Sequence, residues 1–250
     1  MQRDLRAMPG ARVGLVAAAA AAALGGCAAD NGDSGITVMR SVAPSATCTF
    51  SASDAELTVA HGALDVALRT SYLVGIQMTS RITALDGQEI QRSVFVSGAN
   101  VDVTFPDSAL FTAAELAELK SSGLTHFKTL FSTVIKPNGG VTDVAFEMLP
   151  FELGDRLRSK PAFTQVVALG TFRVLGRLGV TGSELESDPF QFPVTLTNGG
   201  LVNLKGPCAE LTTAFMPRFG NACNPAQDGI VDCCTAADNT LVCPAVGTKS

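Results

Sequence analysis

Seven cysteines and two histidines are the residues of this chain best suited to chemistry. Cys27 stands apart, because it follows Leu24-Gly25-Gly26 at the end of an alanine-rich apolar run. The other six are Cys48, Cys208, Cys223, Cys233, Cys234 and Cys243. An even number in an oxidising compartment reads as three disulfides. Six cysteines allow 15 pairings, of which 12 remain when a strained bond between the neighbours Cys233 and Cys234 is set aside. Five of the six lie in the last 43 residues. Five is odd, so complete oxidation within the chain requires Cys48 to bond a tail cysteine. That bond closes a loop of more than 160 residues, worth about 5 kcal/mol by loop-closure entropy. A zinc cluster would show Cys-x-x-Cys spacing or a nearby histidine, and neither occurs.

His61 and His126 each sit alone beside an expected strand, with no serine elbow and no carboxylate paired in motif form. Both read as exposed polar residues. Gly-x-Ser-x-Gly, a phosphate-cradling glycine loop and His-x-x-x-His are all missing. Glu184, Glu186 and Asp188 gather before a strand and read as a solvated turn. Asp228 and Asp232 read as turn residues between disulfides. The Asp30-Asn31-Gly32-Asp33 run lacks the regular oxygen spacing and downstream glutamate of a calcium loop. No catalytic residue, metal ligand or cofactor is therefore expected.

The N-terminus supplies an address. Arg3, Arg6 and Arg12 precede an uncharged stretch of 12 residues, Val13 to Leu24, and small Gly25 and Gly26 follow. This is the layout of a signal peptide, and the run is short of the roughly 20 residues a membrane-spanning helix needs. Leu24-Gly25-Gly26-Cys27 resembles the lipobox of bacterial lipoproteins, whose cysteine is acylated and becomes N-terminal. The resemblance implies a membrane partner held through a lipid anchor on Cys27. Two or three acyl chains anchor stably where one is marginal. With Ala28 in place of an aspartate, the resemblance also implies the outer membrane of a cell envelope.

Removal of residues 1–26 takes away three arginines and Asp4, leaving 15 basic against 22 acidic residues, net −7. That balance excludes a nucleic-acid partner, whose phosphates need Lys and Arg, and a polybasic membrane patch. There is no Trp and one Tyr, Tyr72, which argues against a sugar-binding or tyrosine-rich surface. The 14 Phe fall mostly at inward strand positions.

Residues 27–47 are small and polar and read as a flexible tether. From Ala55 the hydrophobic period is two, the signature of half-buried antiparallel strands. Leu64, Val66 and Leu68 alternate with Asp65 and Arg69; Tyr72, Val74, Ile76 and Met78 share a face. Val94 and Val96 form a short run, and Val101, Val103 and Phe105 form another. Thr129–Ile135 and Val141–Met148 read as a hairpin across the turn Pro137-Asn138-Gly139-Gly140. In Gln165–Leu178, Gly170 and Gly176 suggest bulges or bends. Phe190, Phe192, Val194 and Leu196 alternate with polar residues, and Pro193 places that strand at an edge or turns its donor-less position to solvent. Helical spacing follows the capping box Thr112-Ala113-Ala114-Glu115 and recurs at Phe151, Leu153 and Leu157.

The expected fold is all-β and mainly antiparallel: an immunoglobulin-like β-sandwich with two short helices and a disulfide-rich C-terminal tail, with a closed β-barrel as the alternative. Its parts are a signal peptide over 1–26, a tether over 27–47, the sandwich domain over 48–205 and a cysteine-rich tail over 206–250 packed on the domain. Gly62-Ala63-Leu64-Asp65, Ser97-Gly98-Ala99-Asn100-Val101, Glu186 through Val194, Gly220 through Pro225 and Val231-Asp232-Cys233-Cys234 resemble a group of bacterial envelope lipoproteins with cysteine-rich tails. That resemblance covers most of the mature chain and implies no site residues. Its members carry cysteines near Asn198-Gly199-Gly200, where this chain has none. The implied role is a non-enzymatic envelope module for binding, structure or assembly with a protein partner. A carrier of a small apolar ligand or lipid and a hydrolase-type enzyme are the rival readings.

Overall fold

A computed structural model describes residues 35–51, 58–106, 110–160, 163, 165–211 and 216–244. Cys27, the signal segment and most of the expected tether lie outside them, as does the start of the first expected strand at Ala55–Leu57.

The chain forms a mainly antiparallel β-sandwich with short helices and a disulfide-bonded tail. The first sheet has the order β2-β1-β4-β8, built from Thr58–Val59, Ile36–Val42, Tyr72–Ser80 and Val141–Leu149. The larger sheet runs β3-β11-β9-β5-β6, built from Gly62–Asp65, Phe190–Thr197, Val166–Leu178, Val94–Thr104 and His126–Thr129. Two short strands extend it, β7 (Thr133–Ile135) beside β5 and β10 (Glu184–Glu186) beside β9. The strand pair β3/β11 is parallel. Period-two alternation puts Val74, Ile76 and Met78 of one sheet against Val101, Phe172 and Val194 of the other, all buried in one core. Phe146 meets Phe172 edge-on across the two sheets, with centroids 5.2 Å apart. On one side the sheets nearly join, where the Thr133 and Thr142 hydroxyls lie 3.0 Å apart. The larger sheet is thereby curled into a half-barrel, which combines the two expected architectures.

Several local expectations are corrected. Ile36–Val42 is a strand and not tether, because Ile36 and Val42 bury their side chains and pair with β4. The Thr129–Ile135 and Val141–Met148 strands are not a hairpin: β7 pairs with β5 and β8 with β4, so the turn between them crosses from sheet to sheet. Asn138, at φ 59°, holds this turn by accepting from Ala84 N–H and donating to the Ala84 carbonyl. Gly170 is not a bulge, and at Gly176 the register does shift, but the extra residue lies on the facing strand β5. The β9/β11 register runs unbroken through Gly170, where a Cβ would lie 2.3 Å from Met148 Sδ, so glycine there makes room for the core. Pro193 lies in an interior strand, just before the first β11 residue that pairs with β3.

Three short α-helices occur among the described residues: α1 (Glu89–Arg92), α2 (Ala113–Ser121) and α3 (Phe151–Arg158). The Thr112/Glu115 capping box is formed in both directions. In α3 the buried stripe is Leu153, Gly154 and Leu157, while Phe151 is exposed. Gly154 sits against the Thr70 carbonyl, where a Cβ would come within 1.7 Å of the oxygen. Glu115 receives Lys160, and Glu118 pairs with Arg156, which joins α2 to the end of α3.

The tail adds a small sheet, β12-β13-β14, from Val202–Pro207, Val231–Thr235 and Leu241–Val242. The six cysteines form three disulfides: Cys48–Cys223, Cys208–Cys234 and Cys233–Cys243. Cys48 is bonded to the tail, as the odd tail count required.

Candidate functional site

A groove opens on the larger sheet, and a fault in strand pairing creates it. Along β5, Val96 faces Gly176 of β9 and Gly98 faces Leu175, so Ser97 is an extra residue. Gly98 takes φ 149°, and a Cβ there would lie 2.2 Å from the Thr129 carbonyl oxygen. Only glycine fits this β-bulge. On the other side of β5, β6 ends at Thr129 opposite Ala99, and β7 begins at Thr133 opposite Val96. Leu130, Phe131 and Ser132 bypass the bulge between them. Phe131 turns inward to stack on Phe146 at 5.2 Å, and Leu130 is left 77% exposed.

The groove has a volume of about 760 Å³. Phe95, Leu175, Leu185, Leu130 and Val180 supply apolar surface. Val180, from the β9–β10 turn, is 67% exposed. Lys128, Arg177 and Glu184 bring charge to the same groove. Among the described residues neither Lys128 nor Arg177 has an ion-pair partner, although Glu184 stands opposite Arg177 in the strand register. Apolar surface with charge at the margin suits a ligand or surface with an apolar body and a polar edge.

The two histidines are placed differently. His61 is exposed. His126 Nδ1 lies 2.6 Å from Asp102 Oδ1, a cross-strand pair between β6 and β5. Both side chains are more than half exposed, at 58% and 52%. Thr171 stands opposite Asp102 on the far strand, so the carboxylate lies between the hydroxyl and the imidazole. A nucleophile needs its base within hydrogen-bond reach, and this order does not provide that. No group of three metal-ligating side chains occurs among the described residues.

Asp228 and Asp232, expected as turn residues, hold the tail in place. The Tyr72 hydroxyl donates to both Asp228 oxygens, and Ala63 N–H donates at 2.8 Å. Burial is the main force pushing the Asp228 carboxyl above its ordinary range. Burial, then the Asp228 charge, raises the Tyr72 phenol, which keeps it a proton donor. Gln227 pairs with both backbone groups of Leu73, at 3.0 and 2.7 Å, and Asn224 donates to the Ser71 carbonyl. Asp65 N–H donates to the Ala226 carbonyl, and Asp228 N–H to that of Ala63. The tail thus covers the free edge of β3. Asp65, expected to face outward, is fully buried, and its carboxylate accepts from the N–H groups of Ala67, Gly199 and Leu201. Asp232 accepts from Arg218 and Asn203, and the Arg218 bonds chiefly hold its carboxyl below the ordinary range.

Sequence reasoning missed the groove residues, but one signal marked them. Inward residues fall at Val94 and Val96 and then at Ala99, Val101 and Val103, a change of phase at Ser97-Gly98 that a bulge explains. Cys27 lies outside the described residues. No family model matches this chain, and no curated protein matches it.

Proposed function

We propose that the chain is a lipid-anchored protein of the cell envelope that works by binding and not by catalysis, with the bulged face of the larger sheet as its binding face. The groove at Ser97-Gly98 is the observation that carries this reading. It combines exposed Leu130 and Val180 with the cations Lys128 and Arg177, and neither His126 nor Asp102 lines it. The lipobox resemblance at Cys27 supports the anchor. The three disulfides support an oxidising compartment.

A photoreactive residue at position 130 of the full chain, activated in intact cells, tests the binding face. The same residue at Leu204 in the tail is the control. A discrete adduct from position 130 alone supports the reading; equal or no adducts from the two positions overturn it. Acyl labelling that survives in the wild type and is lost in Cys27→Ala tests the anchor. The carrier reading draws on the groove's apolar floor of Phe95, Leu175 and Leu185. Native mass spectrometry of protein taken from its own envelope decides it, and a ligand-free mass sinks it.

A further inference from the structure

The groove and the point where the chain joins the folded domain occupy the same pole of the molecule. Gly35 packs against Leu185 of the groove, since a Cβ on it would lie 3.3 Å from Leu185 Cδ1. Ile36 pairs with Ser80 at the end of β4, and its side chain approaches Gly176 in the groove wall. The disulfide-bonded tail binds at the other pole. It meets the start of β4 at Tyr72 and Leu73, and β3 at Leu64, which lies beside Leu196 and hence beside Val166 at the start of β9. β9 runs 13 residues from that end to the groove, about 40 Å at 3.3 Å per residue.

We propose that the groove pole rests on the bilayer that holds Cys27, with Leu130 and Val180 entering the lipid and Lys128 and Arg177 reaching anionic headgroups. The proposal rests on the lipid-anchor reading and names the partner of the groove. Three observations select a membrane surface as the occupant. Seven residues lie between Cys27 and Gly35, eight backbone steps with a reach of at most about 28 Å. That is shorter than the domain, so the groove pole comes nearest the anchor. The two side chains are among the most exposed large apolar ones of the described residues, and their exposure needs a cover. The two cations lack ion-pair partners among the described residues, and with Glu184 they leave this patch one positive charge in an otherwise acidic chain. Net acidity rules out attraction from solution. A short tether makes it unnecessary, because it holds the patch near the surface at millimolar effective concentration.

The chain has no tryptophan, which makes a single-probe experiment direct. The full acylated chain carrying Leu130→Trp is reconstituted into vesicles of phosphatidylethanolamine with a minor share of phosphatidylglycerol, with and without bromine on the acyl chains. Leu204→Trp, at the tail pole, is the control, and Val180→Trp is the second probe should the first variant misfold. We expect blue-shifted emission and about a twofold quench for Leu130→Trp, as for a side chain that enters the interface, and no quench for Leu204→Trp. Adding Lys128→Glu and Arg177→Glu weakens the quench. Equal quenching at both positions, or none at position 130 in vesicle-bound acylated protein, overturns the docking and leaves the anchor standing. Protein whose Cys27 carries no acyl mass overturns both.

Discussion

The hydroxyl of Tyr72 donates to both carboxylate oxygens of Asp228, at 3.0 and 3.1 Å, across 156 residues of sequence. This contact joins the buried first residue of β4 to the tail loop, where Asp228 also accepts from Ala63 and Gln227. Tyr72→Phe deletes a donor and leaves the other bonds. The expected loss is about 1–3 kcal/mol, read by urea unfolding. Asp228→Ala strands three donors and costs more. If Tyr72→Phe proves neutral, the contact does not hold the tail.

Two tail carboxylates respond oppositely to acid. The Asp228 pKa is raised above 3.8 in the fold. Its favourable share of stability is therefore complete below pH about 3.8 and is lost as pH rises through the folded value. The Asp232 pKa is lowered below 3.8, so its share is present above that pH and is lost as pH falls through the folded value. Stability relative to Asp228→Asn should rise on acidification from pH 7 towards 4. Relative to Asp232→Asn it should fall below pH 4. Paired unfolding curves across that range check both signs.

Glu115 is held down to about 2, chiefly by its bond from Lys160 and also by the Thr112 cap. Its contribution should be complete above the ordinary 4.5 and be lost progressively as pH falls from there towards 2. Thr112→Ala removes the cap and should cost about 1 kcal/mol, visible as a lower thermal midpoint at neutral pH.

The disulfides span 175, 26 and 10 residues. Loop-closure entropy ranks their contributions at about 5, 3.5 and 2.7 kcal/mol. Pairwise Cys→Ala variants should therefore lose stability in the order Cys48–Cys223, Cys208–Cys234, Cys233–Cys243. The reverse order in denaturant titrations would show that tail packing, and not chain entropy, sets the ranking.

Gly154→Ala should be severe, since its Cβ would meet the Thr70 carbonyl at 1.7 Å. Backbone must move to admit it. We expect a loss of about 3 kcal/mol and a thermal midpoint lower by more than for Phe151→Ala, whose side chain is exposed.

Much of the architecture was legible in the order of residues alone. Alternation at Tyr72, Val74, Ile76 and Met78 named a buried face, because side chains on a strand alternate whatever it pairs with. The Thr112/Glu115 box named a helix start, because its bonds are local. Parity among the cysteines tied Cys48 to the tail, because counting needs no geometry. Pairing across the molecule could not be read this way. Whether β7 continues into a hairpin or crosses to the other sheet depends on which distant strand accepts its backbone bonds. Asp65 looks like the outward residue of a strand and Asp228 and Asp232 like turn residues from their neighbours, and only the folded chain brings amide, phenol and guanidinium donors to them. Gly170 and Gly176 were indistinguishable in sequence from the bulge-forming Gly98; Met148 and Ile36, reached through space, decide what each makes room for. The groove is of the same kind. It exists because β6 and β7 stop short on one side of a bulge while the β9–β10 turn stands on the other, and that meeting of separate segments is set by tertiary packing.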